Sequence, residues 1–126
     1  MQRLWIGLGA LAGLTAVMMA ALAAHALPQR LDAERLRLID SALRMQGWHA
    51  LALVGIGLWA GRASGAWATG CANAAGAATT LGLLLFCGAV YTLALTGLRF
   101  GPIAPVGGTL LMLGWALLGL SVLRAG

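Results

Sequence analysis

The chain has no lysine, one tyrosine and only three acidic residues, Asp32, Glu34 and Asp40, in 126 positions. Charged residues make up 9% of it, against about 25% in an ordinary soluble domain. With 61% hydrophobic residues, a water-soluble fold of this size could not cover its own surface. The pI near 11.2 is not a nucleic-acid signal, because the eight arginines are dispersed rather than gathered into the basic stripe that phosphate binding needs. No Asp or Glu lies inside any of the long uncharged runs, which argues against proton-coupled exchange through a buried carboxylate. There is no Ser/His/Asp order, phosphate loop or paired carboxylate, so no reaction is specified and a non-enzymatic protein is expected. Cys71 and Cys87 lie 16 residues apart on one expected helix, roughly 24 Å at 1.5 Å per residue. They are too far apart for a disulfide and read as small packing groups.

What the chain does have is four uncharged runs, residues 4–29, 45–61, 63–98 and 100–123. A hydrocarbon core about 30 Å thick needs about 20 mostly apolar helical residues, with about 17 as a minimum, so each run is long enough to cross a bilayer once. The expected fold is all-α, a four-transmembrane-helix bundle with spans near 4–27, 45–62, 70–98 and 103–124. Residues 1–126 then form a single integral membrane domain. Arg3, the following apolar stretch and Ala24-His25-Ala26 imitate a signal peptide, but Leu4 to Ala24 is longer than the usual apolar region of about 7–15 residues. The segment is therefore expected to be retained as the first span.

Residues 28–44 are the only stretch of mixed charge. Leu31, Leu38, Ala42 and Met45 share one stripe at 100° per residue, Pro28 suits a first helical turn, and Arg30/Glu34, Glu34/Arg37 and Asp40/Arg44 have ion-pair spacing. An amphipathic interfacial helix between spans one and two is expected there, lying on the membrane surface, with a partner-docking or anionic-lipid surface as the alternative. Four spans put both termini and the Arg62 turn on one face, A, and residues 28–44 and the Arg99–Pro105 turn on the other, B. Trp5, Trp59 and Trp67 then fall near face A and Trp48 near face B, at headgroup depth, while Trp115 falls mid-span and is expected to pack inside the bundle. Face B has more arginines, but its acids can pair with them within one helix. Face A carries Arg3, Arg62 and Arg124 with no acid, so both termini are expected in the cytoplasm.

Small residues dominate the spans because lipid gives helices no hydrophobic reason to associate. Gly9-x-x-x-Gly13 and Gly57-x-x-x-Gly61 are ridges for close backbone approach, and the two prolines before Gly107 and Gly108 set a tight turn followed by another close-packing pair. His25 ends span one and His49 begins span two, which would put both imidazoles at similar depth near face B. Gln46, Tyr91, Thr96 and Arg99 can converge on the same end. These six form the candidate polar site, since an ionisable group in a span is costly without a partner. Mutual satisfaction of these groups is the plain reading. A haem or metal held by His25 and His49 is the alternative, although two ligands identify no metal.

Several segments are familiar together: Ala24-His25-Ala26-Leu27, Gln46-Gly47-Trp48-His49-Ala50-Leu51-Ala52-Leu53, Tyr91-Thr92-Leu93-Ala94-Leu95-Thr96-Gly97, Gly101-Pro102-Ile103-Ala104-Pro105-Val106-Gly107-Gly108 and Gly114-Trp115. In this order, over nearly the whole chain, they resemble the YgdD-like family of small integral membrane proteins, which has a domain of unknown function. The resemblance implies four transmembrane helices in a bacterial inner membrane and no established activity. It marks His25, Gln46, His49, Tyr91, Pro105, Gly107, Gly108 and Trp115. Departures from the family pattern are Ala23 in place of a glycine, Gly47 and Trp48 in place of larger and tyrosine-like residues, and Ala104 in place of a threonine.

The function expected is that of an accessory subunit or a small-molecule- or lipid-binding membrane module, without a cofactor. The alternatives are a small homo-oligomeric transporter or channel, and a bis-His haem or metal protein. Expected partners are the lipid bilayer and a larger membrane complex or further copies of the chain, and no nucleic acid.

Overall fold

The computed structural model describes residues 1–124, and among them four α-helices and no strand. They are α1 (Gln2–His25), α2 (Ala33–Ala60), α3 (Ala66–Thr96) and α4 (Ile103–Leu123). Three of them, α1, α3 and α4, are long and apolar enough to cross a membrane. Helix α2 is less apolar because its first half carries Glu34, Arg35, Arg37, Asp40 and Arg44, and Gln46 and His49 follow.

The largest departure from expectation lies between α1 and α2. Instead of a separate helix over residues 28–44, Pro28 sits in a short 3₁₀ turn, Leu27–Gln29, and α2 then runs unbroken from Ala33 to Ala60. Asp32 starts it: its backbone is extended and its Oδ1 accepts the Arg35 N–H at 2.9 Å, an N-cap that also sets a carboxylate against the positive end of the helix dipole. No proline interrupts the 28 residues that follow. Ile39 and Ala42 are fully buried, and Cys87 Sγ of α3 donates to the Ala42 carbonyl at 3.4 Å. Burial of Ile39 and Ala42 therefore holds one face of residues 33–44 against the bundle as the opening turns of α2, while Glu34, Arg37, Asp40 and Arg44 stay exposed. Of the three expected ion pairs, the structure forms Asp40–Arg44, at 3.0 Å and well exposed.

Consecutive helices pack antiparallel, α1 on α2, α2 on α3 and α3 on α4. Backbones meet where glycine allows it. A Cβ on Gly9 would lie 2.7 Å from the Ala50 carbonyl oxygen, and one on Gly57 would lie 2.9 Å from that of Gln2. Gly61 lies against the Gln2 side chain and Gly107 against the Phe86 backbone. At Gly13 and Gly108 the nearest atoms, Ala50 Cβ and Phe86 Cδ2, are 3.9 Å from a built Cβ, so these two leave room. Gly76, Gly82 and Gly114 make tight contacts that the GxxxG pattern did not mark. Helix α3 ends at Gly97, left-handed at φ 77°, whose N–H returns to the Leu93 carbonyl. Most side chains avoid that conformation.

Two indoles act as cross-braces near face A. Trp5, expected at headgroup depth, is 4% exposed; it covers Gly76 and donates Nε1–H to Asn73 Oδ1 at 2.9 Å, tying α1 to α3. Trp59 donates to Ser121 Oγ, which donates to the Ala68 carbonyl, each at 2.7 Å, so α2, α4 and α3 are joined in one chain. Trp67 carries the Arg124 guanidinium 4.9 Å from its ring centre.

Candidate functional site

On the side of the bundle where α1 and α3 diverge, α2 forms the floor of a half-open groove of about 470 Å³. Helix α1 contributes Leu8, Leu11, Ala12, Thr15 and Met19, and α3 contributes Thr80, Leu83, Leu84, Cys87, Gly88 and Tyr91. Gln46 and Leu53 of α2 lie beneath. No charged side chain lines it. The volume falls within the roughly 300–1,000 Å³ of small-molecule sites, and an apolar wall with few convergent polar groups is their usual composition.

Those polar groups form one network. Gln46 Nε2 donates to the Ala12 carbonyl at 2.9 Å and to Thr15 Oγ1 at 2.8 Å, while Tyr91 donates its hydroxyl hydrogen to Gln46 Oε1 at 2.7 Å. Ala12 and Thr15 are one turn apart on α1, so a single amide on α2 reaches both. Tyr91 lies at the face B end of the groove, and helical side chains lean towards their own N-terminus, which brings its hydroxyl back to Gln46. No buried side-chain nitrogen or oxygen among the described residues lacks a partner.

His49 faces a different way, three residues on from Gln46 around α2. Trp115 Nε1–H donates to His49 Nε2 at 3.1 Å, and His49 Nδ1 meets the Met45 carbonyl at 2.7 Å. An indole only donates and a carbonyl only accepts, so the imidazole is neutral with its hydrogen on Nδ1. Trp115, expected inside the bundle, is 49% exposed and covers His49 from outside, the rings meeting edge-on at 6.1 Å. A second, more open hollow, of about 610 Å³, runs along α2 beside it, with Arg44, Trp48 and Trp115 on its rim.

The six residues expected to converge therefore separate. Gln46 and Tyr91 meet, and His49 pairs with α4 instead. Thr96 and Arg99 are exposed at the end of α3 and in the turn after it, Thr96 Oγ1 donating to the Thr92 carbonyl at 2.7 Å. His25 is exposed at the end of α1. Thr15 marks the level of Gln46 on α1, and His25 lies ten residues beyond it, about 15 Å along the axis. The two histidines thus differ in depth, because α2 begins at Ala33 and leaves His49 more than four turns inside it. A bis-His group within one chain does not fit: His25 is too distant, and a metal on His49 Nε2 would have to displace the Trp115 indole. Among the described residues no three His, Cys, Asp or Glu side chains are grouped for a metal. Thr15 and Asn73, both partners of expected or buried polar groups, escaped the sequence reading; a polar residue in an apolar run was the available signal.

Fold and site together define a small, all-helical protein with three helices apolar enough to cross a membrane, a half-open apolar groove and self-satisfied polar networks. Residues 19–108 match a family model described as "Protein of unknown function (DUF423)". A UPF0382 membrane protein of Staphylococcus saprophyticus is 36% identical over 118 residues, 93% of this chain and 94% of that protein. A UPF0382 membrane protein of Haemophilus influenzae is 34% identical over 116 residues, 91% and 90% of the two chains. The UPF0382 inner membrane protein YgdD of Escherichia coli K12 is 31% identical over 124 residues, 98% and 92%. The chain belongs to this DUF423/UPF0382 family of membrane proteins. No solved structure matches it.

Proposed function

We propose that the chain is a non-enzymatic lipid-binding module of the bacterial inner membrane, and that the groove between α1 and α3 is its binding element. The observation that carries this reading is the groove itself: about 470 Å³, half-open and uncharged, with the exposed apolar side chains of Leu11 and Leu84 in its walls. The Gln46–Tyr91 pair supplies one polar point in an otherwise apolar wall. The transporter and bis-His readings have no comparable observation behind them, and neither has assembly with a larger complex or with further copies.

Gly88 provides the test. It lines the groove, and a Cβ built on it meets nothing within 4 Å, so Gly88→Leu fills the groove without disturbing the core. Removing a mid-helix glycine also favours the fold by about 0.5–1 kcal/mol. Native mass spectrometry after mild extraction is expected to find apolar ligands retained by the wild type and lost from Gly88→Leu, with thermal stability equal or higher. Equal ligand content in the two proteins, or none in either, would overturn the reading.

In the same reading α2 also crosses the membrane, which makes four spans in all, and both termini are cytoplasmic. Support comes from Arg3, Arg62 and Arg124, which lie at one end of the bundle with no acid nearby in sequence. A fluorescent-protein fusion after Arg124 is expected to fluoresce, while an alkaline phosphatase fusion there stays inactive. The opposite pattern reverses the topology.

A further inference from the structure

Resting on the lipid-binding reading, the hydrogen-bond directions in the groove narrow the ligand's chemistry. The Ala12 carbonyl can only accept, so the side of the Gln46 amide that faces it, 2.9 Å away, is the NH₂ group. Its two hydrogens go to Ala12 and to Thr15 Oγ1. Gln46 Oε1 therefore faces Tyr91, and the phenol must donate its only hydrogen to it. Thr15 Oγ1 accepts from Gln46, so its own hydrogen turns to the Leu11 and Ala12 carbonyls, at 3.0 and 3.1 Å. Thr80 donates to the Gly76 carbonyl at 2.8 Å and Cys87 to that of Ala42 at 3.4 Å. Every side-chain donor in the groove is thereby spent. What remains is a set of lone pairs, foremost on Tyr91 Oη.

A ligand whose polar end only accepts, such as a carboxylate, phosphate, ester or quinone carbonyl, finds no free donor here, and a charged one finds no counter-ion. Either would lose its hydration without replacement. A ligand that donates meets the Tyr91 oxygen directly, and accepting a bond there strengthens the Tyr91–Gln46 bond already made. The groove's length adds a limit. The Tyr91 hydroxyl lies at the level of Gln46, which Thr15 marks on α1. From Thr15 to Leu8 at the face A end is seven residue steps, about 10 Å, or a third of a hydrocarbon core about 30 Å thick. We propose that the groove holds a neutral, single-chain lipid alcohol, its hydroxyl donating to Tyr91 Oη and its chain lying between α1 and α3 towards face A.

The full-length protein in phosphatidylcholine nanodiscs, labelled with a photoreactive hexadecanol, tests this by competition with three unlabelled probes of one chain length: hexadecanol, hexadecyl methyl ether and palmitate. Crosslinks are expected at the groove segments of α1 and α3. Hexadecanol is expected to compete at least tenfold better than the ether or palmitate. In Tyr91→Phe the alcohol should fall to the level of the ether, while the ether's own competition is unchanged, which also reports that the variant is folded. Equal competition by the three probes, or a preference for alcohol that survives in Tyr91→Phe, would overturn the proposal and leave the lipid-binding reading standing. No groove labelling by any probe, or labelling unchanged in Gly88→Leu, would overturn both.

Discussion

Gly107→Val is expected to destabilise the protein by about 2–3 kcal/mol, the scale of overpacking in a close-packed core, whereas Gly108→Ala leaves stability equal or raises it by up to about 1 kcal/mol through helix propensity. The two glycines are adjacent and look equivalent in sequence. A Cβ on Gly107 would meet the Phe86 backbone nitrogen and, at 2.8 Å, the Gly82 carbonyl oxygen, and backbone atoms cannot turn aside as a flexible side chain can. Valine adds two further methyl groups to that contact. The α3–α4 pair must then separate, and Gly114 beside Thr79 lies in the same seam. At Gly108 the nearest atom to a built Cβ is Phe86 Cδ2 at 3.9 Å, an ordinary contact. Unfolding in mild detergent, followed by helical circular dichroism, reads both changes. Equal cost at the two positions would mean that α3 and α4 do not meet backbone to backbone at Gly107.

That contrast shows how far sequence carries in a membrane bundle. The four apolar runs and the charges between them were legible because bilayer thickness fixes helix length and the cost of burying charge fixes where helices turn. The start of α2 was not. The change in composition at Arg44 reads as a boundary, yet helix continuity is a matter of backbone, and nothing between Ala33 and Ala60 breaks it. That displaced start moved His49 away from His25. It left Gln46 and Tyr91 within reach of each other, because their pairing depends only on α2 and α3 being antiparallel neighbours. The GxxxG ridges at Gly9 and Gly57 were readable from spacing. Gly76, Gly82 and Gly114 were not, because α3 has small residues on several faces and sequence alone does not say which meets a neighbour. The same ambiguity covers the indoles: one amphipathic side chain serves as interior brace at Trp5 and as outer cover at Trp115.

Trp5→Ala is expected to cost about 3 kcal/mol, with Trp5→Phe costing about 1 kcal/mol, and the difference separates packing from hydrogen bonding. Lipid is as apolar as the bundle interior, so removing the ring forfeits little hydrophobic transfer energy. What it forfeits is dispersion contact and the filling of space: the indole lies directly over Gly76, within 2.5 Å of where a Cβ would be, and belongs to the cluster containing Leu53, Ile56, Ala75 and Leu83. Aromatic-to-alanine changes in cores cost about 3–5 kcal/mol in water-soluble proteins, and the lower end applies when transfer contributes little. The Trp5–Asn73 hydrogen bond is the smaller part, since such bonds between membrane helices average about 0.6 kcal/mol and reach about 1.7. Phenylalanine keeps most of the ring volume and loses only that bond, leaving the half-buried Asn73 amide to find another partner. Denaturation of the two variants in mild detergent, with Asn73→Ala and the double variant completing a cycle, gives each part separately. A Trp5→Phe cost equal to that of Trp5→Ala would assign the brace to the hydrogen bond. A Trp5→Ala cost below about 1 kcal/mol would mean that α1 is held by α2 alone, and the wall that α1 gives the groove would then be free to move.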